Sequence, residues 1–191
     1  MSDTFISPEG FLMYPTLWTA KRYQNKPDNA PRYEATLLIL KSDPELPALM
    51  NIFNGEIKEK YKTTSLPYGK DGCILDGGIR HPDDPFYADK VILSMSCAEK
   101  KGPPEVLLPD NSPVVNHSHI YQGCVARAYI HMHSYDSGKG GIRAELHGIK
   151  KYRDSAPIKD STPRTRSAFA KHDNVDETPS PQSTSPFLTS K

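Results

Sequence analysis

Cysteine is scarce in this chain of 191 residues: three, at Cys73, Cys97 and Cys124. An odd number at scattered positions does not suggest a disulfide framework. The thiols are expected to serve as small apolar side chains in a reducing cytoplasm. Long hydrophobic runs are also missing, since nothing approaches the roughly 18 to 20 apolar residues of a membrane span. The opening Met1-Ser2-Asp3-Thr4 has neither the basic start nor the apolar stretch of a secretion signal. Net charge is almost absent, at +1, so the whole chain is no cationic magnet. Complete catalytic signatures are absent too. There is no G-x-S-x-G elbow, and no C-x-x-C or H-x-x-E-H spacing that would assemble a metal site.

What is present is uneven charge. Residues 120–153 hold six cations (Arg127, Lys139, Arg143, Lys150, Lys151, Arg153) against two acids (Asp136, Glu145), a local net of +4. A basic face on a neutral protein suits nucleic acid. Within this segment the chain alternates with period two. Cys124, Ala126, Ala128, Ile130 and Met132 point one way, and Arg127, Tyr129, His131, His133 and Tyr135 the other. Side chains alternate across a strand, so this is a half-buried strand. Its outer face interleaves rings with cationic or protonatable groups, the mixture that stacks bases and neutralises phosphates. Arg127, Tyr129 and His131 carry that expectation, while His133 and Tyr135, next to a hairpin, read as simply exposed.

The remaining pattern is mostly strands. Phe11 to Thr19 is an apolar strand interrupted by Pro15, hence an edge or a bulge. Lys21 to Pro31 reads as a polar loop. Tyr33 to Leu40 is apolar on nearly both faces and therefore central. Tyr87 to Cys97 and Ile142 to Leu146 complete the set, with a bulge at Gly148. One helix is expected, N-capped by Asp43 with Pro44 first, its stripe formed by Leu46, Leu49, Met50, Phe53 and Ile57. Several short strands, one covering helix and long loops predict a mainly β OB-fold, a five-stranded Greek-key barrel, over residues 1–154. A β-sandwich is the alternative. Residues 155–191 hold five Pro and twelve Ser or Thr, too polar to offset their ordering entropy, and are expected to be a disordered tail.

Further rings and cations lie together along the sequence. Trp18 leads into Lys21 and Arg22, Arg32 precedes Tyr33, and Arg80 and His81 precede Phe86, Tyr87 and Lys90. With Arg127, Tyr129, His131, Lys139 and Arg143 these form the candidate DNA-binding set. Arg22, Arg80, Lys90, Arg127 and Lys139 would neutralise phosphates, and Trp18, Tyr33, Tyr87 and Tyr129 would stack bases. Lys139 is no nucleotide-binding loop lysine, because His133 stands where the first glycine belongs and Gly140 where Ser or Thr belongs. It reads as the tip of a mobile hairpin turn. Asp83 and Asp84 read as a capped turn with solvated acids. No catalytic residue, metal or cofactor is expected. Two other readings stay open: a duplex DNA- or RNA-binding module, and a metal-dependent enzyme built on His117, His119, Cys124, His131 or Asp83.

Four segments carry a resemblance: Tyr33-Glu34-Ala35-Thr36-Leu37-Leu38-Ile39, Leu75-Asp76-Gly77-Gly78, Tyr121-Gln122-Gly123-Cys124-Val125-Ala126-Arg127-Ala128, and the hairpin from Tyr135 to Gly141. In this order the chain resembles the single-stranded DNA-binding proteins of tailed bacteriophages. The resemblance implies an OB-fold that coats single strands during phage replication or recombination, inside the infected host. It also implies recruitment of replication or recombination proteins through an acidic tail with an aromatic end. Here the tail carries Asp173, Asp176, Glu177 and Phe187, yet finishes on Lys191.

Overall fold

The computed structural model describes residues 4–22 and 30–158. The described residues belong to one compact unit ending at Ile158. No helix among them is long and apolar enough to cross a membrane.

Five long strands form the body: β2 (Gly10–Lys21), β3 (Arg32–Leu40), β6 (Lys90–Ala98), β8 (Val125–Tyr135) and β9 (Gly141–Arg153). Their pairing runs β2 to β3 to β6 to β9 to β8 and back to β2, which closes the ring. All neighbours are antiparallel except β6 and β9, which run parallel and meet only at Met95–Ala144 and Ser96–Glu145. This is the expected Greek-key barrel, with a thin seam between β6 and β9. Short strands decorate it: β1 (Phe5–Ile6) on β8, β4 (Asp71–Gly72) and β7 (Glu105–Leu107) on β9, and β5 (Ile74–Asp76) on β6.

The alternation on β8 holds. Ala126, Ala128, Ile130 and Met132 are fully buried and meet Leu12, Leu37, Leu93, Ala144 and Leu146 in the core. β3 is central as expected, paired along its whole length with β6 and also with β2. β2 bulges at the expected place: register shifts between Met13 and Thr16, and Tyr14 takes a φ of 50° beside Pro15. The bulge in β9 leaves His147 as an extra residue, because Tyr129 faces Gly148 while Ile130 faces Leu146.

Helix α1 (Leu46–Tyr61) lays the buried stripe Leu46, Leu49, Phe53 and Ile57 on the barrel. It begins later than expected. Asp43 accepts the Glu45 amide at 2.8 Å, which closes a turn ahead of the helix, and Pro47 sits in the first helical turn. The strand expected from Tyr87 starts only at Lys90. Asp84 accepts the Phe86 amide at 3.0 Å and winds Pro85–Tyr87 into a 3-10 turn, the cap read from the sequence. The short helix α2 (Gly77–Arg80) is likewise capped by Asp76, which accepts the Ile79 amide.

The chain stays attached beyond Asp154. Ile158 donates its amide to the Gln122 carbonyl at 3.0 Å, and its carbonyl accepts from Gln122 Nε2 at 3.1 Å. A Cβ on Gly123 would come within 2.6 Å of the Ile158 nitrogen, so glycine is needed there for the strap to pass. Residues 159–191, including Asp173, Asp176, Glu177 and Phe187, lie outside the described residues, as do residues 23–29 of the expected loop.

Candidate nucleic-acid interface

The outer face of the β8–β9 hairpin follows from its register. Tyr135 faces Gly141, His133 faces Arg143, His131 faces Glu145, and Arg127 faces Lys150. The strands therefore place rings and cations side by side, yet the two ends of the face differ.

At the end nearest the hairpin, the face runs into the thin β6–β9 seam. Two adjoining grooves lie there, of about 300 and about 370 Å³, sharing Ser96 and Arg143 in their walls. Arg32, Lys100, Lys101 and Arg143 line them, with the rings of Tyr135 and His133. The β3–β6 register brings Arg32 opposite Ala98, just before Lys100 and Lys101. The Arg143 guanidinium lies 4.3 Å over the Tyr135 ring and is not ion-paired to a carboxylate among the described residues. Three nitrogens here, Arg32 Nε, Arg143 Nε and His133 Nδ1, are buried and have no hydrogen-bond partner among the described residues.

The groove is not uniformly positive. Glu34 and Asp71 also line it, and Glu145 is ion-paired to Lys101. Burial raises the Glu34 carboxyl above its ordinary value, although Arg32 pulls the other way. Burial also raises Glu145, but the hydrogen bond and charge of Lys101 bring its net value below normal. Burial, with Arg143 and His131, holds the His133 imidazole below its ordinary value, which favours the neutral ring. A neutral ring can stack but does not neutralise a phosphate.

The far end is different. The two terminal nitrogens of Arg127 donate to Glu45 at 2.5 and 3.0 Å, and Glu9 stands 3.9 Å away. Arg153 pairs with the same Glu9. Arg127 was expected to neutralise phosphate, but its charge is already matched, and it ties the start of α1 to β8. Tyr129 remains 47% exposed at mid-strand, its hydroxyl 2.7 Å from Thr4, beside His131 and His147.

Other expected residues have structural employment. Lys90 is buried, donates to the Phe86 carbonyl at 2.6 Å and to Asp89 at 2.7 Å, and covers the Phe86 ring. Tyr87 is buried with Met13, Leu38 and Ile92, and stacks on His81. Tyr33 is buried on β3. These placements share a cause: each side chain sits where a strand or cap turns it into the protein. Arg80 is exposed at the end of α2, and Phe86 is partly exposed. That cluster lies by Leu40, whose partner is Lys90, at the opposite end of β3 from Arg32. At about 3.3 Å per residue the two ends are about 26 Å apart.

Trp18 is half-buried and already stacked on His117, ring centroids 3.9 Å apart. Lys21 pairs in register with Arg32, and Lys21 and Arg22 are exposed beside it. Lys139 is exposed at the hairpin tip, which is held at three points instead of hanging free. Lys70 donates to the Lys139 carbonyl, Lys60 to Asp136, and the Asp71 amide to the Gly140 carbonyl. Gly141 permits this approach, since a Cβ there would fall 1.9 Å from the Asp71 carbonyl oxygen.

Lys100 and Lys101 were not among the expected residues, and Tyr135 and His133 were read as merely exposed. The dibasic pair before Gly102 was a visible signal, but only the β3–β6 register shows that it meets Arg32.

The comparisons with known proteins agree with this architecture. A family model described as "Enterobacter phage Enc34, ssDNA-binding protein" matches residues 9–179. The single-stranded DNA-binding protein of bacteriophage Enc34, solved in complex with ssDNA, has the same fold. Its TM-score is 0.66 at 21% identity, covering 82% of this chain and 89% of that one. The gp2.5 single-stranded DNA-binding protein of bacteriophage T7 aligns with a TM-score of 0.57 at 16% identity, over 84% of this chain and 95% of its own. Putative protein p50 of Acyrthosiphon pisum secondary endosymbiont phage 1 is 31% identical over 83 residues, 43% of this chain and 42% of that protein.

Proposed function

We propose, from the premise that this chain belongs to the Enc34 phage single-stranded DNA-binding protein family, that it binds single-stranded DNA without sequence preference and coats it during phage replication or recombination. The binding is non-enzymatic and takes place in the cytoplasm of the infected bacterium. The observation that carries the reading is the seam groove, where Arg32, Lys100 and Arg143 converge and neither arginine is ion-paired to a carboxylate among the described residues. A phosphate backbone would pair with these guanidinium groups, and Tyr135, with Tyr129 further along the face, would offer rings for bases. Such stacking tolerates any sequence because every base has a π-face. Lys21, Arg22, Lys100, Lys101 and Lys139 would extend the cationic track at the groove's margins.

Competition at low salt between oligo(dT) and a duplex of equal length tests the reading. Single strands should win, and affinity should fall steeply with salt as counterions are released. Equal or stronger binding of the duplex would favour a duplex-reading module instead.

A further inference from the structure

Outside the phosphate-binding reading, the hairpin holds a group of side chains with different chemistry. His131 on β8 directly faces Glu145 on β9, and His147 follows two residues later on the same outer face. One ligand atom from each, two imidazole nitrogens and a carboxylate oxygen, lies within 4.8 Å of the others. The bulge at His147 sets this geometry, because the extra residue has no partner on β8. We propose that His131, Glu145 and His147 form a binding site for a divalent first-row transition ion of the Zn²⁺ class. Two imidazoles and one carboxylate suit such ions, and three protein ligands leave a fourth position open to solvent.

The neighbours are compatible with an ion. Lys101 holds Glu145 Oε1, leaving the second carboxylate oxygen to coordinate, and Lys101 is exposed enough to swing aside. The three cysteines are buried and offer no competing surface thiolate. His117 is occupied against Trp18. The site rests on the hairpin geometry alone, so its test needs no DNA.

The full chain is titrated with Co²⁺, read by its visible absorption, and with Zn²⁺ by calorimetry. One ion per chain and a visible band of a low-coordinate Co²⁺ site are expected. Losing a residue that merely orients a ligand costs about 10- to 100-fold in affinity, so His147→Ala should lower it at least tenfold. Glu145→Gln, which keeps the shape of the side chain, should do the same, whereas His119→Ala should leave binding intact. Unchanged thermal melting separates loss of ligand from loss of fold. Absence of binding with metal in excess, or binding undiminished in both His147→Ala and Glu145→Gln, would overturn the site.

Discussion

The two ends of the β8–β9 face carry arginines with different partners. At one end Arg127 and Arg153 meet Glu45 and Glu9, acids from the cap of α1 and the N-terminal segment, while Lys150 opposite Arg127 bonds the Asn111 side-chain oxygen. At the other, Arg143 lies over Tyr135 and Arg32 faces a groove, neither ion-paired to a carboxylate among the described residues. An arginine held by two acids stabilises the fold but has little attraction left for a phosphate. An arginine over a ring has no counter-charge on it and stays open to an anion. A basic residue count therefore does not locate an anion-binding surface; the partners do.

Breaking the seam end should produce the largest effect. Tyr135→Ala removes both a stacking surface and the platform under Arg143, and should cost about 1–3 kcal/mol in oligo(dT) affinity. Tyr152→Ala at the far end, whose ring lies 5.3 Å from the Arg127 guanidinium, should cost much less in the same titration. Equal losses would erase the distinction between the ends.

Arg127→Ala is the complementary change. It frees Glu45 and unties α1 from β8, and should lower folding stability by about 1 kcal/mol, the upper range for partly exposed pairs. Its pH dependence follows from Glu45, whose carboxyl is lowered below its usual 4.5 chiefly by the hydrogen bond from Arg127. A depressed carboxylate contributes its stability above the ordinary value and loses it as pH falls through the folded one. The stability gap between Arg127→Ala and the parent should therefore be full at pH 7 and shrink in acid. Denaturant melts at both pH values measure it, and a gap that widens in acid would contradict the assignment.

The smallest effect concerns the groove floor. Cys73 lines the seam groove, and burial pushes its thiol up to about 12. It should stay unlabelled by thiol reagents at neutral pH in the native protein and react only when the chain is unfolded. Rapid native labelling would mean that the seam opens.

The local parts of this structure were legible in the residues. Period two on Cys124–Tyr135 separated buried from outer side chains, the i, i+3, i+4 stripe predicted the covered face of α1, and Pro15 and Gly148 marked the bulges. The barrel followed from the number and order of strands. The site was only half legible, because charge state there depends on non-local partners. Nothing near Arg127 in sequence announces Glu9 or Glu45, and nothing near Arg32 announces Lys100 and Lys101. Tyr33, Tyr87 and Lys90 read as contact residues because their types suit the role, whereas their strand parity and caps bury them. Tyr135 had the reverse fate: its place beside a hairpin looked incidental until the register set Arg143 next to it.

The salt dependence of oligo(dT) binding, measured for the parent, Arg143→Ala and Arg127→Ala, tests the central claim most directly. Each lost single-strand phosphate contact should flatten the slope of log affinity against log salt by about 0.7. Arg143→Ala should show that change and Arg127→Ala should keep the parent slope. A flattened slope in Arg127→Ala with an unchanged one in Arg143→Ala would contradict the account.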